Sequence, residues 1–159
     1  MNPELLEILR RNSGLTLDRE GRFFHKGQAI VHKRSVSALE KGLELREDGE
    51  VVVHLGNQWA YVEVEDSMYV IRNIVPQRDQ DGALVCLTLV MTGERREILD
   101  PLTLILKPPS DLYCLVDGHR IRARFLRPAF HALEPFLVES DKGYALAYRD
   151  GDISILEQS

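Results

Sequence analysis

At 159 residues the chain holds one ordinary core or two very small ones, burying roughly 68–70% of the unfolded surface. With 44% hydrophobic and 28% charged residues it is excluded from the disordered class. The net charge of −5 argues against nucleic-acid binding over a basic surface, and no run approaches the ~18 apolar residues of a membrane span.

The first residues, MNPELLEILRRNSG, carry acids within their apolar run. They lack the basic, apolar and cleavage regions of a signal peptide, so a cytoplasmic location is expected. A short helix is predicted over residues 2–12. Asn2 serves as its cap and Pro3 suits its first position, while Leu5, Leu6, Ile8 and Leu9 form one apolar side. Strand-like segments follow at Leu15–Leu17 and Arg22–His25, joined by the turn Asp18–Gly21. Lys26-Gly27 then turns the chain into Gln28–Val31.

From Lys33 to Leu45 the apolar spacing is helical, with Val36, Leu39 and Leu43 at i, i+3 and i+7. Asp48-Gly49 and Gly56-Asn57 punctuate two strands, Val51–Leu55 and Trp59–Val64. In the second, Ala60, Val62 and Val64 face one side, and Trp59, Tyr61 and Glu63 the other. Another strand runs from Met68 to Val75. Pro76–Gly82 reads as a polar connection, and Leu84–Met91 as a central strand. Shorter strands are expected at Glu97–Leu99 and Leu102–Leu106 before the connector Lys107–Ser110.

The last third echoes the first. Ala38–Gly49 aligns without gaps to Ala132–Gly143, sharing Ala, Leu, Glu, a later Leu and the turn Gly. Each side reads strand, strand, helix, strand, strand, although Pro135 should kink or shorten the second helix. The expected class is α+β, mostly antiparallel, with each helix packed on a sheet. The corresponding division is 1–76 for the N-terminal helix and first repeat, 77–110 for connecting strands, and 111–159 for the second repeat.

Candidate chemistry is sparse. His25, His32, His54, His119 and His131 show none of the close pairs of zinc helices, and Cys86 and Cys114 lie in apolar runs without a C-x-x-C motif. Two reduced, buried thiols, no metal and no cofactor are expected. The stretch GRFFHKGQAIVHKRS (21–35) reads as hairpin and helix start: its aromatics fill the seam between strands and helix, and its charges are surface and capping groups. Glu63, Glu65 and Asp66 crowd one hairpin end as solvated carboxylates.

One pattern stands out. GHRIRARFLRP places Arg120, Arg122 and Arg124 at i, i+2 and i+4, so a strand presents all three on one face and Ile121, Ala123 and Phe125 to the core. Arg127 follows beside Pro128 at the start of the next helix. Guanidinium forks suit carboxylate or phosphate, and a helix start adds free N–H groups.

The aromatic pair before His25, the helix that follows, Val62–Asp66 (VEVED) and the segment LVDGHRIRARFLRPAFHAL resemble a bacterial domain family of unknown function, the one numbered twelve-eighty-five. The resemblance spans nearly the whole chain, with the Ala123-Arg124 pair and Phe130 in place. It implies a Gram-negative origin and an α+β fold with repeated motifs. It supplies no activity and no catalytic residue; a signalling role is all it suggests. The C-terminal segment Arg149–Leu156 departs from the family's Gly- and aromatic-rich ending.

The resulting expectation is a non-enzymatic binding or regulatory module. It recognises a small anionic ligand or an acidic partner surface through Arg120, Arg122, Arg124 and Arg127. The alternative is an enzyme with a site in the cleft between the repeats, using His119 or Glu63. A homodimer through an open strand edge is a third expectation.

Overall fold

The computed structural model describes residues 3–158; the expected cap Asn2 lies outside them. The chain forms two compact units, divided between Met68 and Tyr69. It is α+β with mostly antiparallel strands.

The first unit runs α1 (Pro3–Arg11), β1 (Leu15–Leu17), β2 (Phe23–His25), β3 (Gln28–Ala29), α2 (Lys33–Gly42), β4 (Leu43–Leu45), β5 (Val51–Leu55), β6 (Gln58–Tyr61) and β7 (Glu63–Val64). Glu4 in the first turn of α1 and Arg10 and Arg11 in its last turn complement the helix dipole. Its apolar side is not a core face: Leu5, Ile8 and Leu9 remain 47%, 55% and 54% exposed. What docks the helix is its basic end, where Arg10 lies 4.1 Å from the Trp59 ring and Arg11 4.2 Å from that of Tyr61.

Strands β3, β2, β1 and β7 form one sheet in that order, with β1 and β7 parallel. The Asp18 carboxylate closes the first turn by accepting the N–H groups of Glu20 and Arg22. Lys26 and Gly27 both take positive φ (51° and 82°), the left-handed pair that a two-residue hairpin requires. The aromatic pair divides: Phe23 is fully buried opposite Leu17, Phe24 is half-buried, and His25 faces solvent.

Helix α2 stops three residues before its apolar spacing does. Leu43–Leu45 pairs with β5 as the first strand of the meander β4-β5-β6. The cause is tertiary: Gly42 comes so close to His54 that a Cβ there would lie 2.2 Å from the His54 carbonyl oxygen. Beyond that contact Leu43 is buried by facing Val53 across the ladder.

The second unit runs β8 (Tyr69–Arg78), β9 (Leu84–Met91), β10 (Arg96–Ile98), β11 (Ile105–Lys107), β12 (Asp111–Val116), β13 (Ile121–Phe125), α3 (Arg127–Leu133), β14 (Leu137–Ser140), β15 (Gly143–Tyr148), β16 (Gly151–Ser154) and β17 (Leu156–Glu157). Seven strands form one sheet in the order β10-β9-β8-β13-β12-β11-β17, and β14-β15-β16 form a separate meander. Within the seven-stranded sheet the β13–β8 and β11–β17 pairs are parallel.

The expected central strand Leu84–Met91 is β9, flanked by β8 and β10, with Leu84, Leu87, Leu89 and Met91 buried. The polar segment after Val75 is not a free connection. Strand β8 continues through Pro76 to Arg78, and Asp79–Gly82 is the hairpin turn, tied by the Asp79 carboxylate to the N–H groups of Asp81 and Ala83. Proline is tolerated because β13 pairs with β8 only over Tyr69–Ile71, leaving one side of the ladder open beyond it. The expected strand Leu102–Leu106 begins late, since Asp100 accepts the Leu102 N–H and caps a 3₁₀ turn over Pro101–Thr103. Pro135 acts as its ring demands: α3 ends at Leu133 and Glu134–Phe136 tightens to a 3₁₀ turn.

Each unit contains a hairpin, a helix and a three-stranded meander, but β3 stands between hairpin and helix in the first unit alone, and β1-β2 joins a four-stranded sheet while β12-β13 lies in the interior of a seven-stranded one.

The thiols differ from expectation. Cys114 is buried, and burial pushes its pKa up to about 12, but Cys86 is only half-buried on β9, with its Sγ 3.2 Å from Gln77 Oε1. A thiol reagent at pH 8 should therefore modify one equivalent per chain, at Cys86. Modification of Cys114 should appear only in denaturant, and two equivalents in the native state would contradict its burial.

Candidate functional site: the arginine recess

Strand β13 alternates as its sequence demands. Ile121, Ala123 and Phe125 are buried, and Arg122 and Arg124 point to the other face. Arg120 is not on the strand. It closes the turn after β12, where Asp117, Gly118 and His119 all take positive φ (51°, 65° and 66°). That turn is a polar knot. The Asp117 N–H donates to both Glu97 carboxylate oxygens at 2.9 and 3.0 Å, and His119 Nε2 lies 2.9 Å from Asp100. Arg120 donates to Asp117 at 2.6 Å, and this bond and charge raise the pKa of its guanidinium.

The remaining arginines diverge. Arg122 lies over the Tyr113 ring at 4.4 Å, a stacked contact that covers a core aromatic. Arg124 is sunk to 14% side-chain exposure and donates to Asp111 at 3.4 Å. Arg127, the first residue of α3, is exposed and makes no ion pair among the described residues. The expected stripe of three is therefore replaced by a different pair: Arg124 and Arg127 line one recess of about 250 Å³ with Ser110, Phe130, His131 and Glu134. At seven residues α3 is too short for its dipole to add much there.

His131 was missed in the sequence as a partner of the arginines. The signal was present, since Arg127 and His131 stand at i and i+4 and so share a helix face. Its Nδ1 lies 3.0 Å from Glu134, the carboxylate of the recess. Sharing Phe130 and Glu134 with this recess is a second cavity of about 380 Å³, walled by Leu106, Leu112, Leu137 and Ile155.

The other candidates do not converge with the arginines on this recess. His32 sits at the start of α2 without a side-chain capping bond, and His54 is bound to Glu44 beside Trp59. Glu65 accepts the Arg19 N–H, Asp66 accepts the Ser67 hydroxyl, and Glu63 is exposed on β7. A larger cavity of about 640 Å³ in the first unit is lined by Arg11 and Glu50, but these two are paired at 3.1 Å. Among the described residues no three His, Cys, Asp or Glu side chains are grouped to hold a metal. No described helix is long and apolar enough to cross a membrane.

No family model and no curated protein matches the chain. Two solved structures are similar. A DUF1285 family protein from Silicibacter pomeroyi DSS-3 is 15% identical, with a TM-score of 0.69 over 91% of this chain and 80% of that one. A DUF1285 family protein from Shewanella baltica OS155 is also 15% identical, with a TM-score of 0.53 over 72% of this chain and 85% of that one. The resemblance read from the sequence motifs is thus met at the level of architecture: this chain has the fold of DUF1285 family proteins.

Proposed function

We propose that the chain is a non-enzymatic binding module that recognises a small anion at the Arg124–Arg127 recess. The observation that carries this reading is the convergence of two guanidinium groups and an imidazole on one concavity, one of the guanidiniums being exposed and unpaired. Planar forks of this kind grip carboxylate or phosphate through two parallel hydrogen bonds. A regulatory role in the cytoplasm belongs to the same reading, supported by two free thiols that suit a reducing compartment.

The test is a thermal-shift screen with phosphate monoesters, nucleotides and small carboxylic acids. A ligand at about a hundred times its Kd adds roughly 2.7 kcal/mol, which raises the midpoint by about 5–10 °C. The shift should vanish in Arg127→Ala and persist in Arg120→Ala, whose guanidinium is held in the turn. Because Arg127 is exposed, its loss should change stability by no more than about 0.5 kcal/mol. A shift retained in Arg127→Ala, or none with any anion, would refute the assignment.

A further inference from the structure

We infer that the ligand of this site is an amphiphile, a single carboxylate or phosphate head on a short apolar tail. The inference rests on the reading of the recess as an anion site and adds the tail. The polar recess and the apolar cavity are neighbours, since Phe130 and Glu134 line both. Arg124, Arg127 and His131 line the recess, and Leu106, Leu112, Leu137 and Ile155 line the cavity.

The polar recess, at about 250 Å³, is smaller than an ordinary ligand pocket, and the apolar cavity, at about 380 Å³, is near the lower end of the usual range of about 300–1,000 Å³. A molecule lying across Phe130 places its charge beside the guanidiniums and its hydrocarbon in the apolar cavity. Two acids bear on this pose. Glu134 lines both cavities with its carboxylate held by His131, and Glu139 lines the apolar cavity. A cationic tail would meet Glu139, but the hydrocarbon walls favour a neutral one. A free inorganic anion would leave the apolar cavity unused.

The experiment is calorimetric titration of the full chain with acetate, butanoate, hexanoate, octanoate and decanoate, each below its micelle concentration, together with octyl phosphate and octanol. Affinity should rise about fourfold for each added methylene until the apolar cavity is full. Octanol should bind at least tenfold more weakly than octanoate, because it lacks the charge that Arg127 reads.

Leu137→Trp should abolish the chain-length dependence and leave the short acids unaffected; Ile155→Trp fills the same cavity from the link between β16 and β17 and serves if the first variant misfolds. Arg127→Ala should weaken every acid by a similar factor. A flat affinity from butanoate to decanoate would overturn the tail while sparing the anion site. Binding of no acid and no phosphate would overturn both. Octanol binding as tightly as octanoate would show an apolar pocket with no head recognition and refute the amphiphile. Vesicles containing phosphatidylglycerol should leave the protein in the supernatant; co-sedimentation without monomer binding would reassign the surface to a bilayer and defeat the proposal.

Discussion

Gly42→Ala should destabilise the first unit by about 2–3 kcal/mol, a sign opposite to the one that helix propensity predicts. Alanine in a helix interior is ordinarily better than glycine by about 1 kcal/mol, and Gly42 is the last residue of α2. The new methyl would lie 2.2 Å from the His54 carbonyl oxygen and 3.1 Å from the His54 nitrogen. These are backbone atoms of β5, so no side chain can swing aside. Either α2 lifts from the meander or the β5 ladder to β4 and β6 distorts. Urea denaturation followed by circular dichroism decides the matter. A midpoint raised by the substitution would mean that α2 and β5 do not approach so closely.

Phe23→Ala has a still larger expected cost, about 3–5 kcal/mol. The ring is 1% exposed and lies opposite Leu17, itself 1% exposed, so its loss leaves a cavity between strands that the short β1-β2 ladder cannot close. A unit of this size has only about 3–10 kcal/mol of stability in all. The variant should therefore leave the first unit largely unfolded at 37 °C, seen as rapid proteolysis within residues 3–68. His25→Gln, two residues along the same strand but exposed, should shift stability by less than about 0.5 kcal/mol. Equal effects from both substitutions would contradict the burial pattern of β2.

The contrast between these two residues shows where the sequence was legible. A nearly unbroken apolar run marks β9, and alternation of apolar and charged residues marks β13, because the burial that decides each is written in consecutive residues. Pro135 was legible for a similar reason: its ring acts on its own turn of helix. The end of α2 was not legible, since Leu43 satisfies both a helical stripe and a strand, and the choice is made by β5 passing against Gly42. Pro76 misled because a proline breaks a strand only where a partner needs its N–H, and the partner on that side is missing.

The arginines were legible as a strand face but not as a site. Arg120 belongs to a turn whose shape depends on Glu97 and Asp100, distant in sequence. The recess needs Ser110 from before β12 and His131 from α3, positions that no local pattern links to Arg124.

The cation stack at the start of the chain makes the two units optically distinguishable. Trp59 is the sole tryptophan, with Arg10 at 4.1 Å and Arg46 at 4.8 Å from its ring and Tyr61 edge-on at 5.3 Å. Indole emission therefore reports the seating of α1 on β6, and the second unit contributes none. Melting curves read by emission describe the first unit alone, and those read by ellipticity describe both. An anion entering the Arg127 recess binds the unit that is dark in this channel, so calorimetry or ellipticity, and not indole emission, reads its effect.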